Sequence, residues 1–266
     1  MRLFRFERLL PSCFRSLFGA MAVSVILLIS LFMADPVAAG RGPTPLTALE
    51  PHFRKSVLHG WRAFQTSHAD DGVACVHCHL DHETIRRWAR AYPKVEVFDG
   101  TPYRVKTLRQ VVLEALERHS DLGPARRLEL VDGLVAYIAW WGDGLKVSPG
   151  HSRDLPPPSE DLKLLRESAR RGLKLIAKGS EGNCRGCHES TADAQDVSVG
   201  QVAARFPKFV PSTEKVMPLS VFVAYHLEEQ GKVSVTPDGK IVIDILAGLA
   251  LLAEGQTYLP GHLMQE

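Results

Sequence analysis

The sequence predicts a mainly α-helical chain built from two similar halves in tandem. Apolar residues recur at helical spacing through most of the chain after residue 40. The segment "FRKSVLHGWRAF" at 53–64 has a counterpart in "LRESARRGLKLI" at 165–176, with Gly60 aligned over Gly172. A polar, proline-rich segment, "KVSPGHSRDLPPPSED", separates the two copies and is typical of a linker.

The two halves share one order of predicted elements. In each half the first helix leads to a cluster of cysteine and histidine and then to a turn segment, "RAYPKV" or "ARFPKF". Helical periodicity predicts two more helices per half, at 107–119 and 128–141 in the first and at 218–230 and 241–254 in the second. Helices this short leave a thin apolar core, which a buried cofactor would complete.

The first 39 residues predict an export signal. An arginine-rich start precedes the apolar run "AMAVSVILLISLFMA", and the small residues Val37 and Ala39 fit a cleavage site. The apolar run is long for a signal, so an uncleaved membrane anchor is the alternative. Either way the rest of the chain is expected in the periplasm of a bacterium, free or anchored to the inner membrane.

The exported part is electrically neutral. The whole chain has 32 basic and 30 acidic residues, and residues 1–39 contain four arginines and two acidic residues. This balance gives no reason to expect nucleic acid as a partner, and a membrane contact is expected only if the N-terminal segment is uncleaved. The length after residue 39 is enough for two modest domains, predicted at 41–147 and 160–266 with a linker at 148–159.

The cysteines indicate what completes each core. Outside the signal, the cysteines form two clusters: Cys75 and Cys78 followed by His79, and Cys184 and Cys187 followed by His188. A CxxC pair occurs in disulfides, in zinc sites and in haem attachment sites. A histidine directly after the second cysteine favours haem, because the thiols bond to the haem vinyl groups and the imidazole binds the iron. The duplication predicts two covalently bound haem c groups.

The second axial ligand of each iron has several candidates. His119 continues the apolar face of the helix from residue 107 and is the first candidate in the first half. Lys106 is another, unless it is a solvated cation, and a vacant or weakly ligated iron beside the small Ala115 is the third option. The remoter candidates are His59, His68 and His82. In the second half the candidates are His226, on the apolar face of its helix, and Met217 at the head of that helix.

The chain resembles a known family. The order of helix, CxxCH, "YPK" or "FPK" turn, "TL" helix and terminal "AYI" helix is similar to the c-type cytochrome domain. Its doubling resembles the diheme A subunit of the thiosulfate-oxidising Sox cytochrome complex. The resemblance implies two tandem cytochrome c-like domains, each packed around one covalent haem. In that family a cysteine on the "TL" helix is the distal iron ligand; here the equivalent residues are Ala115 and His226.

Two functional classes follow from these sites. As an electron carrier, the chain would pass electrons between redox partner proteins such as a cytochrome subunit or an oxidoreductase. As a haem enzyme, it would act on a sulfur compound or a peroxide at one open iron. No group of acid and base residues is recognisable near either CxxCH, so the sequence assigns no catalytic residue and favours the carrier.

Overall fold

The computed structural model describes residues 43–96, 104–151, 157–177, 198–231 and 233–262. The predicted export signal and the second cysteine cluster, at 184–188, lie outside the described residues. From Pro43 onward the chain forms one compact unit. The predicted mainly helical fold is confirmed. Within the described ranges, no helix is both long enough and apolar enough to cross a bilayer.

The described elements follow the same order in the two halves. The first half contains α1 (Pro51–Gln65), α2 (Cys75–Cys78), α3 (His82–Ala91), β1 (Lys94–Glu96), β2 (Arg104–Lys106), α4 (Leu108–His119) and α5 (Pro124–Trp141). The second contains α6 (Ser159–Ala177), α7 (Val199–Ala203), β3 (Lys208–Val210), β4 (Lys215–Met217), α8 (Leu219–Gly231) and α9 (Lys240–Ala253). The predicted helices agree with α1, α4, α5, α6, α8 and α9.

Side-chain caps fix the starts of the two helices that later bound the site. At α4, Thr107 Oγ accepts a hydrogen bond from the Gln110 amide, and the Gln110 side chain accepts one from the Thr107 amide. At α1, the Glu50 carboxylate accepts hydrogen bonds from the amides of His52 and Phe53. These contacts satisfy amide groups that have no acceptor within the helix.

Each half is built on a close crossing of its first and last long helices at a glycine. Gly60 of α1 faces the backbone of Gly133 in α5, and Gly172 of α6 faces the backbone of Asp244 in α9. A Cβ atom on either Gly60 or Gly172 would overlap the carbonyl group opposite it. The repeated glycine therefore allows the two helices to pack backbone against backbone in both halves.

The predicted turn segments are the starts of short β-hairpins. A cis peptide bond precedes Pro93 and also Pro207, and an antiparallel hairpin follows each one. Strand register pairs Lys94 with Lys106 in the first hairpin and Lys208 with Met217 in the second. Lys106 and Met217 consequently occupy equivalent positions, each two residues before the start of the next helix.

The two halves are joined by reciprocal backbone hydrogen bonds between the segments after α5 and α9. The amide of Gly144 donates to the Tyr258 carbonyl at 2.8 Å, and the amide of Gly255, its counterpart, donates to the Val147 carbonyl at 2.9 Å. Gly144 and Gly255 both have left-handed backbone conformations, with φ of 78° and 77°. Glycine adopts this conformation without strain. The junction therefore has approximate two-fold symmetry.

The segment after each junction packs on the first helix of the other half. A Cβ atom added to Gly261 would overlap the ring of Phe53 in α1. A Cβ atom added to Gly150 would lie 3.2 Å from a methyl group of Leu165 in α6. One apolar core includes buried residues of both halves, among them Phe53, Val131 and Ile245. The predicted boundaries at 147, 148 and 160 thus fall within a region where the halves contact each other.

Candidate haem site

A large cavity in the first half opens beside the CxxCH turn. It has a volume of about 720 Å³, and both thiols, Cys75 and Cys78, lie on its wall together with His79. Helices α1, α3, α4 and α5 supply most of the remaining wall, and they contribute mainly apolar side chains such as Phe64 and Leu116. Cavities of several hundred Å³ with apolar walls are the usual sites of organic ligands and cofactors.

The two cysteines are not joined in a disulfide, and they differ in burial. Cys75 is half-buried and Cys78 is exposed, and burial raises the pKa of the Cys75 thiol. The turn that carries them is closed by His77, whose Nδ1 accepts a hydrogen bond from the Ala74 amide at 3.0 Å. His77 therefore holds the CxxCH turn in shape.

His79 is positioned by an aromatic contact and lies near a second histidine. Its ring packs edge-on against Trp88 of α3, with 4.9 Å between the ring centroids. Burial lowers the pKa of His79, and the charge of His119 lowers it further. His119, at the end of α4, lines the same cavity as His79. The structure therefore brings these two imidazoles to one cavity from elements about 40 residues apart in sequence.

Helix α4 forms a continuous wall of the cavity. Its lining residues are Leu108, Val111, Val112, Ala115, Leu116, Arg118 and His119. They include the apolar face that helical spacing predicts for this segment, together with His119 at its end. Ala115, at the position of the distal cysteine in the resembling family, has only a methyl group to offer the cavity.

Lys106 is buried in an ion pair with Glu114. It is buried, and its Nζ donates to both carboxylate oxygens of Glu114, at 2.7 and 2.6 Å. It is not among the residues that line the cavity. The interpretation of Lys106 as a solvated cation is therefore wrong, because a charge placed at this depth needs a carboxylate partner.

Charged side chains line part of the cavity wall. Arg87, Lys94 and Arg118 contribute positive charge, and Glu96 is held by Lys94 at 2.7 Å and by the Tyr92 hydroxyl at 2.6 Å. Carboxylate groups of a ligand would be stabilised by such cations. A wall that is apolar over most of its area and cationic in one part suits a ligand with an apolar body and acidic substituents.

These features fit haem c better than a bare metal ion. Within the described ranges, no group of three or more His, Cys, Asp or Glu side chains could hold a metal ion. Cys75 and Cys78 are instead free thiols on the wall of a cavity of about 720 Å³, with His79 beside them. Thiols for the vinyl groups, an imidazole for the iron, and cations for the propionates match the parts of haem.

His226 is the described counterpart of Ala115 in the second half. It lies on α8, where its ring stacks with Phe222 at a centroid distance of 5.8 Å, and Phe222 contacts Phe206 at 4.8 Å. The cysteines and histidine of the second cluster, Cys184, Cys187 and His188, lie outside the described residues. Their relation to α8 therefore rests on the repeat.

Met217 is the counterpart of Lys106, and it is buried at the end of β4. In the first half, the residue at the His226 position lines the cavity and the residue at the Met217 position does not. By the repeat, His226 corresponds to a residue of the first-half cavity wall, and Met217 corresponds to a residue that does not line that cavity.

Comparison with known proteins identifies a related fold. No protein-family model and no curated protein matches the chain. The fold is similar to that of SoxXA. The crystal structure of SoxXA from P. pantotrophus aligns with a TM-score of 0.58 at 16% sequence identity, over 77% of this chain and 75% of that chain. At this identity the likeness supports a shared fold, and function has to be argued from the site.

A second solved structure, thiosulfate dehydrogenase TsdBA from Marichromatium purpuratum in its as-isolated form, aligns less well. Its TM-score is 0.34 at 21% identity, over 80% of this chain and 50% of that chain.

His68, one of the remoter ligand candidates for the first iron, is also a residue of the cavity wall. It lies in the segment between α1 and α2 and lines the cavity. Its Nε2 is 2.9 Å from the Ala63 carbonyl oxygen. Because a carbonyl only accepts, Nε2 carries the proton and Nδ1 is the unprotonated nitrogen when the ring is neutral. An irregular segment has no periodicity that could have shown which way His68 points.

Proposed function

We propose that this chain is a periplasmic diheme c-type cytochrome that transfers electrons between redox partner proteins in the oxidation of sulfur compounds. The observation that carries the proposal is the convergence of Cys75, Cys78, His79 and His119 on one cavity of about 720 Å³. The fold shared with SoxXA and the resemblance of the motifs to the Sox diheme subunit support the sulfur context.

In this proposal the first haem is attached through Cys75 and Cys78 and ligated by His79 and His119. Haem c, when bound, supplies one-electron exchange between ferric and ferrous iron. The chain's own residues set how readily this occurs. Trp88 contacts the His79 ring, most of the cavity wall would give the ligand apolar surroundings, and the cations Arg87 and Arg118 would counter its acidic groups.

In the same proposal, Cys184 and Cys187 would hold the second haem, and His188 would bind its iron. We assign His226 as the other axial ligand, because its counterpart Ala115 lines the first cavity and the counterpart of Met217 does not. Both irons would then have two histidine ligands. Two imidazoles favour a lower reduction potential than an imidazole with a thioether, so the assignment has a measurable consequence.

One observation favours a second candidate function, a haem enzyme with an open iron. Ala115 leaves space on the cavity wall, and the unprotonated Nδ1 of His68 is available to accept a proton on the same wall. If His119 does not bind the iron, this space could admit a small sulfur compound or a peroxide. The two functions differ in the coordination of one iron.

Intact mass of the exported protein tests the haem content. The mass of the processed chain should increase by two haems. Cys75→Ser combined with Cys78→Ser should reduce the increase to one haem, and so should the same changes at Cys184 and Cys187. Cys13→Ser, within the predicted signal, is the matched control and should change nothing. A protein with no covalent haem would refute the proposal.

Carbon monoxide binding separates the carrier from the enzyme. If both irons have two histidine ligands, the reduced protein should not bind carbon monoxide readily. His119→Ala should convert the first haem to a high-spin form that binds it, because the distal ligand is removed. Binding by the unmutated protein at one haem would instead establish an open iron and favour the enzyme.

A further inference from the structure

A second, smaller cavity lies where the two halves meet. Its volume is about 100 Å³, and its lining consists of equivalent residues from both halves, such as Pro93 with Pro207 and Leu108 with Leu219. It is separate from the cavity beside Cys75, although Tyr92 and Leu108 contribute to the walls of both. The approximate two-fold symmetry of the chain thus creates a site that neither half contains alone.

The polar lining of this cavity does not follow the symmetry. The first half contributes Arg90 and Arg109, where the second half has Ala204 and Ser220. Among the described lining residues there are two arginines and neither Asp nor Glu. Both arginines therefore come from the first half, and the second half contributes no charged side chain to the described lining.

The two arginines differ in how far their charge is compensated. Arg109 is buried and pairs with Asp132 at 2.9 Å and with Asp238 at 2.6 Å. Arg90 makes no ion pair with a carboxylate of the described residues, and its Nε is buried without a hydrogen-bond partner. An uncompensated guanidinium nitrogen away from water is costly unless an acceptor is present.

Ser220 provides a second unpartnered donor on the same cavity. Its side chain is 1% exposed, and its Oγ has no hydrogen-bond partner among the described residues. Ser220 is at the beginning of α8, a helix of 13 residues. The first amide groups of a helix lack acceptors within it, and the N-terminal end of the helix dipole favours negative charge.

We propose that this cavity between the halves binds a small monovalent inorganic anion of halide size. Arg90 and Ser220 supply the buried donors, and the start of α8 adds a favourable potential. The volume of about 100 Å³ accommodates a halide together with a water molecule. Most of the lining is apolar, which suits a weakly hydrated monovalent anion better than a divalent oxyanion that needs many donors.

Crystals of the haem-loaded protein grown in sodium bromide give the direct test. The anomalous scattering of bromide should produce a peak between Arg90 and Ser220. A cavity that contains water density alone, with no anomalous signal, would overturn the proposal. This measurement uses the unmutated protein, so it does not depend on any variant being able to fold.

Thermal unfolding gives the second test. The unfolding midpoint of the haem-loaded protein is compared in sodium bromide and in sodium gluconate at equal ionic strength, because gluconate is too large for the cavity. Bromide should raise the midpoint, since an anion bound only by the folded state stabilises it. Ser220→Ala should weaken the apparent bromide affinity about tenfold, and Arg90→Gln should remove the effect.

Arg62→Gln, on the exposed side of α1, is the matched control for the loss of a positive charge. It should retain the full bromide effect. If Arg62→Gln and Arg90→Gln reduce the effect equally, bromide acts through the general charge of the protein and the proposed site is wrong.

Discussion

Gly60→Ala should destabilise the protein by about 2 kcal/mol through the crossing of α1 and α5, two helices that line the candidate haem cavity. The added Cβ would overlap the Gly133 carbonyl and lie 2.9 Å from the Leu134 amide nitrogen. These are backbone atoms, so the strain is not relieved by rotating a side chain. Overpacking of this kind costs about 3 kcal/mol, and the higher helix propensity of alanine returns about 1 kcal/mol.

Two other glycines provide controls for the same substitution. A Cβ on Gly133 would come closest to His59 Nδ1, at 2.9 Å, and that side chain can move. Gly133→Ala should therefore change the free energy of unfolding by less than about 1 kcal/mol, because the higher helix propensity of alanine offsets the cost of moving His59. Gly123 is the N-cap residue of α5 and has no atom near its Cβ position, so Gly123→Ala should cost about 0.5 kcal/mol, because alanine is the poorer N-cap residue.

Urea unfolding of the haem-loaded proteins, followed by circular dichroism, measures the three free energies under the same conditions. The expected order of destabilisation is Gly60→Ala first, with the other two close to the unmutated protein. If Gly60→Ala is as stable as Gly123→Ala, the helices do not cross as closely as described. If Gly133→Ala is the worst of the three, His59 rather than the backbone limits the space.

Three further predictions concern ligation, pH and the linker. His226→Ala should convert the second haem to a high-spin form in its absorption spectrum, whereas Met217→Ala should leave the spectrum unchanged; the opposite result would make Met217 the ligand. Burial alone would raise the pKa of Asp143, but hydrogen bonds from His262 and Thr44 lower it below its ordinary value. The lowered pKa stabilises the folded state above the ordinary pKa of about 3.9, and this stabilisation is lost as pH falls through the lower folded-state pKa. The midpoint of thermal unfolding should therefore fall in acid, and it should fall less in Asp143→Asn. Limited proteolysis should cut first in the predicted linker near 156–158 and give two haem-bearing fragments. Because backbone hydrogen bonds join the halves, the fragments should separate on size exclusion only in denaturant.

The sequence was sufficient where the signal is local. The helices follow from apolar residues at helical spacing, and the predicted segments 107–119 and 128–141 correspond to α4 and α5. The proposed haem attachment follows from the spacing of Cys75, Cys78 and His79, because the three side chains of one turn would act on one ligand. The repeat was visible because equivalent positions keep the same kind of side chain, as Gly60 and Gly172 do.

The hairpins show where local signals are weaker. The segments around Pro93 and Pro207 were expected to be turns with little strand character. The structure has a strand of three residues directly after each one, paired with a strand further along the chain. Strands this short have too few residues for a period of two to be recognised, and their pairing depends on residues beyond the turn.

The sequence by itself thus determined the helices, the two CxxCH sites and the tandem repeat, because each depends on residues close together in the chain. Only the tertiary structure decided that His119 and His68 share the cavity of His79, and that Lys106 is bound to Glu114. It also decided that the halves are joined through their final segments and enclose a cavity lined by Arg90 and Ser220. These relations depend on contacts between distant segments, whose geometry is set by how the helices pack and not by the spacing of residues along any one of them.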